Sequence, residues 1–113
     1  MIRVAIPANG PDLSSEASEH FGRAPYFIVV DVEGGKVVGV SAVKNPTLEH
    51  HVHGEVPQLM AKLRVKVVAC KGIGPRALRV LEGLGIETLI ADPSTRTVKE
   101  VLDKALKHLG LSA

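Results

Sequence analysis

Ile2 to Ala8 is an apolar, β-branched run that breaks into Pro7-Ala8-Asn9-Gly10-Pro11, the pattern of a strand entering a loop. The loop continues through Ser14, Ser15, Ser18, His20 and Gly22. Two further strand-like runs, Tyr26 to Glu33 and Lys36 to Lys44, flank Gly34-Gly35. A two-residue Gly-Gly connection between apolar runs predicts a hairpin, because a type I′ turn needs positive φ at both positions. Counting back from that turn sets Glu33 opposite Lys36, a favourable cross-strand charge pair.

Asn45 to Gly54 is polar and reads as a loop. Val56, Leu59, Met60 and Leu63 then recur at helical spacing, with Pro57 in the first turn, where a missing N–H costs nothing. Val65 to Ala69 predicts a short buried strand, and Gly72 to Pro75 a turn. Ala77, Leu78, Leu81 and Leu84 predict a second helix capped near Gly85. Ile86 to Ala91 predicts the last strand. Thr97 and Glu100 form a capping-box pattern ahead of an apolar stripe from Val98 to Leu109, closed by Gly110.

The predicted order is β-β-β-α-β-α-β-α. The hairpin makes the first three strands antiparallel neighbours, and right-handed crossovers add the other two parallel to the first. A five-stranded mixed sheet of order 3-2-1-4-5 with helices on both faces satisfies these constraints; this α/β arrangement is ribonuclease-H-like. The C-terminal ends of strands 1, 4 and 5, and the loop after strand 3, then share one sheet edge. Open α/β sheets bind ligands where the chain leaves neighbouring strands in opposite directions. The segments bearing His20, the histidine loop, Cys70 and Asp92 all emerge there.

At 113 residues, residues 1–113 form one domain, and 45% hydrophobic content is enough to bury a core without disulfides or structural metal. The balance of 14 Lys+Arg against 12 Asp+Glu is too even for a nucleic-acid or anionic-membrane footprint. Aromatic content of 3% argues against base-stacking platforms. The single cysteine, Cys70, excludes an intramolecular disulfide and suits a reducing cytoplasm. No signal peptide or membrane span is visible, because the apolar runs are only of strand length.

Three segments carry candidate chemistry. His20, within Ser18-Glu19-His20-Phe21-Gly22-Arg23-Ala24-Pro25, offers an imidazole beside a glycine that allows close backbone approach. The plain alternative is a loop histidine bonded to nearby backbone. His50, His51 and His53 form a compact cluster suited to a transition metal, or a polar loop with adventitious metal affinity. Cys70-Lys71-Gly72-Ile73-Gly74-Pro75 joins a strand to a helix N-terminus. Such a site favours anions and lowers thiol pKa; a tight turn over a buried thiol is the alternative. The first strand has no carboxylate and Asp31 stands alone, away from the site, so a two-metal nuclease is set aside.

Ile6-Pro7-Ala8, Ser18-Glu19-His20-Phe21-Gly22-Arg23-Ala24-Pro25-Tyr26-Phe27, Asn45-Pro46, Gly74-Pro75, Gly85-Ile86 and Thr97-Val98 together resemble the dinitrogenase iron–molybdenum cofactor biosynthesis family. That family includes NifX-like and NafY-like carriers and the C-terminal domain of NifB-like proteins. The resemblance implies a ribonuclease-H-like fold and a non-enzymatic carrier of an iron–sulfur-type cluster or an iron–molybdenum cofactor precursor. It makes His20 the candidate cluster ligand. His50, His51, His53 and Cys70 stand as accessory metal ligands. Arg23, Lys71, Gly72 and Gly74 stand as contacts that balance the cluster's charge or let it approach. Partners would be cluster donor and acceptor proteins, with neither nucleic acid nor membrane. The competing expectation is a binding module for a mononuclear metal or small anion.

Overall fold

The structure is a computed structural model and describes residues 1–47 and 55–110. Its elements run β1 (Ile2–Ala8), β2 (Tyr26–Glu33), β3 (Lys36–Lys44), α1 (Glu55–Lys62), β4 (Val67–Cys70), α2 (Pro75–Gly83), β5 (Glu87–Ile90) and α3 (Val98–His108). The five strands form one sheet of order β3-β2-β1-β4-β5. The β1/β2 and β2/β3 pairs are antiparallel, and β1/β4 and β4/β5 are parallel. This is the expected order. The hairpin turns on Gly34 and Gly35 at φ 58° and 80°, and Glu33 faces Lys36.

Strand alternation divides the core in two. Val4, Ile6, Ile28 and Val30 point to one face and pack on α3 through Val98, Val101, Leu102 and Ala105. Ala5, Phe27, Val68 and Cys70 point to the other and pack on Val56 and Met60 of α1 and Leu81 of α2. β3 is an edge strand, and its Val37, Val38 and Val40 stay exposed. Lys36 and Lys44 at its two ends discourage edge-to-edge pairing.

β4 begins two residues later than its apolar run predicts. Arg64 reverses the chain at φ 61°, and the Val65 N–H closes on the Met60 carbonyl at 3.0 Å. Val65 is buried as the plug beneath that reversal, so its apolar character reports core rather than strand. At the end of α2 the cap is Leu84, and Gly85 follows it at φ 77°. The Gly85 N–H reaches Glu82 O and the Ile86 N–H reaches Leu81 O, a Schellman closure that only a left-handed residue permits at low cost. Ile86 is thereby buried as part of the cap and not as the first strand residue. The Thr97 side chain caps α3 by accepting from the Glu100 N–H at 3.2 Å. No helix among the described residues is long and apolar enough to cross a membrane.

Candidate functional site

The loop leaving β1 is pinned before it reaches His20. The Ala17 N–H bonds to Arg96 O, and the Val98 and Lys99 N–H groups bond to Ser15 O and Leu13 O, which ties the loop to the start of α3. The Ser18 N–H then bonds back to Pro7 O at 2.9 Å. The buried Ser18 hydroxyl accepts from the His20 N–H (3.2 Å) and donates to the His20 carbonyl (3.0 Å). Phe21 is buried against Phe27, with ring centroids 5.7 Å apart and tilted by 58°. Buried Ser18, Phe21 and Ala24 therefore anchor a segment whose intervening Glu19, His20 and Arg23 are exposed.

Asn45, just after β3, clamps the far side of this segment. Its Nδ2 donates to Ala24 O (2.9 Å) and Gly22 O (3.3 Å), and its Oδ1 accepts from the Thr47 N–H (2.9 Å) and hydroxyl (2.8 Å). The near side rests on the turn after β4, where the Phe21 N–H bonds to Gly72 O at 3.1 Å.

Between that segment and the N-terminus of α2 lies an open cleft of about 810 Å³, lined among others by His20, Arg23, Gly72, Gly74 and Arg76. Among the described residues its charged lining comprises Arg23, Arg76 and Glu19, and Glu19 is ion-paired with Lys71 at 3.5 Å. Among the described residues no side chain caps α2, which starts on Gly74-Pro75 with no acidic residue in its first turn, so the positive end of its dipole lies at the cleft. The cleft therefore sets one exposed imidazole beside two guanidinium groups and the start of a helix.

The sequence-predicted residues divide sharply. His20, Arg23, Gly72 and Gly74 meet at the cleft. Lys71 does not line it: the side chain is 13% exposed and its ammonium is taken up by Glu19. Cys70 lies beneath the turn, 1% exposed, inside the apolar cluster of α1 and α2. Burial pushes its thiol up to about 12, the reverse of activation by a helix N-terminus. His50, His51 and His53 lie outside the described residues. Asp92 does not face this cleft; it lines a separate groove of about 430 Å³ between β5 and α3, together with His108 and Glu87. Asp31, expected to stand alone, sits directly opposite Arg3 and accepts its guanidinium at 2.7 Å. Among the described residues no group of three or more His, Cys, Asp or Glu is assembled for a metal ion.

Sequence reasoning did not single out Arg76, whose place at the first turn of α2 was the available signal. It named Asn45 only with Pro46 as part of the family resemblance and at the start of a polar loop, and nothing local shows that its amide reaches back to Ala24.

Comparisons with known proteins agree with this architecture. The family model for the dinitrogenase iron–molybdenum cofactor matches residues 1–108. A Thermotoga protein of the DUF35 family, likened to NifB and solved by NMR, is 34% identical, with 95% of this chain and 89% of that chain covered at a TM-score of 0.78. The apo form of the orange protein from Desulfovibrio gigas is 30% identical over 96% of this chain and 89% of its own, at a TM-score of 0.83. An uncharacterized Methanocaldococcus jannaschii protein is 28% identical over 98 residues, which is 84% of this chain and 79% of the relative.

Proposed function

The chain belongs to the dinitrogenase iron–molybdenum cofactor family, and from that membership we propose that it binds and carries an iron–sulfur-type metallocluster or an iron–molybdenum cofactor precursor in the cleft beside His20. The observation that carries this reading is the pairing of one exposed imidazole with Arg23 and Arg76 around an open cleft. A metal–sulfide cluster is a bulky anion. His20 supplies one ligand, the two guanidinium groups offset negative charge, and the uncapped start of α2 adds a favourable dipole.

The sparse donor set suits transfer rather than storage. A cluster held by several thiolates dissociates slowly, whereas a single imidazole gives way readily to an acceptor protein's ligands. Cys70 is sequestered in the core and adds no competing sulfur. A carrier must also persist empty, and the orange protein, of the same fold, was solved as an apo form. The partners of such a carrier are a cluster donor and a cluster acceptor, and its single reduced thiol fits a cytoplasmic setting. The strand order supports assigning the fold as ribonuclease-H-like.

A second reading, a binding module for a small anion or mononuclear metal, draws support from the same two arginines and the uncapped helix start. Anaerobic reconstitution with iron and sulfide separates the two. The carrier reading expects both elements bound in a defined ratio, released to a chelator, and lost in His20→Ala. The exposed loop position of His20 limits the stability change in that variant to under about 1 kcal/mol. Absence of bound sulfide in the parent protein, or equal loading of the variant, would overturn it.

A further inference from the structure

Among the described residues three glycines line the cleft, and they are not equivalent. A Cβ added at Gly22 or Gly74 meets nothing within 4 Å, but at Gly72 it falls 2.6 Å from the Glu19 carbonyl oxygen. Gly72 is not among the positive-φ residues, so no left-handed backbone conformation calls for glycine there. What the position requires is the missing side chain itself.

We infer that Gly72 is a positioning residue for His20, and that Lys71 reinforces it. The main chain of residues 18–22 settles directly onto the turn after β4. The Phe21 N–H bonds to Gly72 O at 3.1 Å, and Lys71 Nζ draws the Glu19 carboxylate at 3.5 Å. Glu19 and Phe21 are the two neighbours of His20, so these contacts on either side define where the imidazole stands over the cleft. Ordinary carbon–oxygen contacts start near roughly 3.3 Å. A methyl group at residue 72 therefore displaces the Glu19 carbonyl by roughly 0.7 Å, or tilts the turn by as much. Phe21 cannot follow, because its ring is 1% exposed and packed on Phe27. The displacement falls on Glu19 and His20.

This also accounts for Lys71, whose ammonium pairs with Glu19 and which does not itself line the cleft. Its contribution to the cleft acts through the loop. The inference concerns the empty protein; its consequence for cargo rests on the carrier reading.

The test uses Gly72→Ala in the cargo-free protein, with Gly83→Ala as control, since a Cβ at Gly83 meets nothing within 4 Å and Gly83 does not line the cleft. In Gly72→Ala the His20 imidazole resonances should move. The Phe21 amide should exchange at least about tenfold faster, the response of a local hydrogen bond to local opening, while α3 amides keep their protection. Gly83→Ala should leave both signals in place. Unmoved His20 resonances with unchanged Phe21 exchange in folded Gly72→Ala would overturn the inference. Should Gly72→Ala fail to fold, Lys71→Gln, which removes only the tether to exposed Glu19, is read by the same two signals, and silence there overturns it equally. Anaerobic loading with iron and sulfide then tests the consequence: release to a chelator should be several-fold faster in Gly72→Ala. Equal loading and release despite moved His20 resonances would remove the positioning role. Failure of the parent to load would instead count against the carrier reading and leave the resonance result to decide the inference.

Discussion

Asn45→Ala should be among the costliest single changes near the cleft. Asn45 is 5% exposed, and its side chain makes four hydrogen bonds. Truncation strips partners from the Ala24 carbonyl and the Thr47 N–H, whose residues are 0% and 2% exposed, so water cannot readily replace the amide. The Gly22 carbonyl is partly exposed and can be rehydrated. Each buried group left unpaired costs about 1–3 kcal/mol, which for the two groups sets the expected loss at about 2–6 kcal/mol. With a urea m-value of about 2 kcal/mol per molar, the unfolding midpoint should fall by roughly 1–3 M, followed by circular dichroism. Asn45→Asp sharpens the test, because it keeps the acceptor for Thr47 but turns an anionic oxygen toward the Ala24 and Gly22 carbonyls. Only the protonated carboxyl can donate there, so its folded-state pKa lies above the unfolded value. The variant should be badly destabilised at neutral pH. It should recover as pH falls through the folded-state pKa, with recovery complete below the unfolded value near about 4. A midpoint shift under about 0.3 M for Asn45→Ala, or an Asn45→Asp protein as stable as the parent at pH 7, would refute this account of the clamp.

Cys70, with its thiol pushed up to about 12 by burial, should react with a thiol reagent at pH 8 only as fast as the protein opens, and quickly in denaturant; rapid labelling of the folded protein would contradict its placement. The hydrogen bond from the Arg3 guanidinium holds the Asp31 carboxyl below its ordinary value. This stabilisation is present above the unfolded-state pKa and is lost as pH falls through the folded one. Asp31→Asn should therefore weaken the loss of stability below about pH 4, measured as urea midpoints from pH 2 to 7, and an unchanged acid limb would count against the pairing. Thr97→Ala removes the oxygen that accepts the Glu100 N–H and should cost about 1 kcal/mol, read as a lowered Tm; an equal Tm would mean that Glu100, which also reaches the Arg96 N–H, caps α3 unaided.

Much of the fold could be read from the chain because its causes are local. Apolar β-branched runs, helical spacing, the Gly34-Gly35 turn and the Thr97 cap each act within a few residues, and the crossover rule turns their order into a sheet. The same reasoning brought His20, Arg23, Gly72 and Gly74 to one edge, because strand direction alone puts the ends of β1 and β4 together. Which of those residues face the cleft was decided by contacts between segments distant in sequence. Lys71 is turned to Glu19, Cys70 falls in the apolar cluster beneath α1 and α2, and Asn45 reaches an Ala24 carbonyl 21 residues away. Val65 likewise has the composition of a strand but fills the space under a chain reversal. Composition states what a side chain can do. Whether a thiol is a ligand or core filling, and whether a lysine meets cargo or holds a loop, depends on which surface the folded chain leaves beside it.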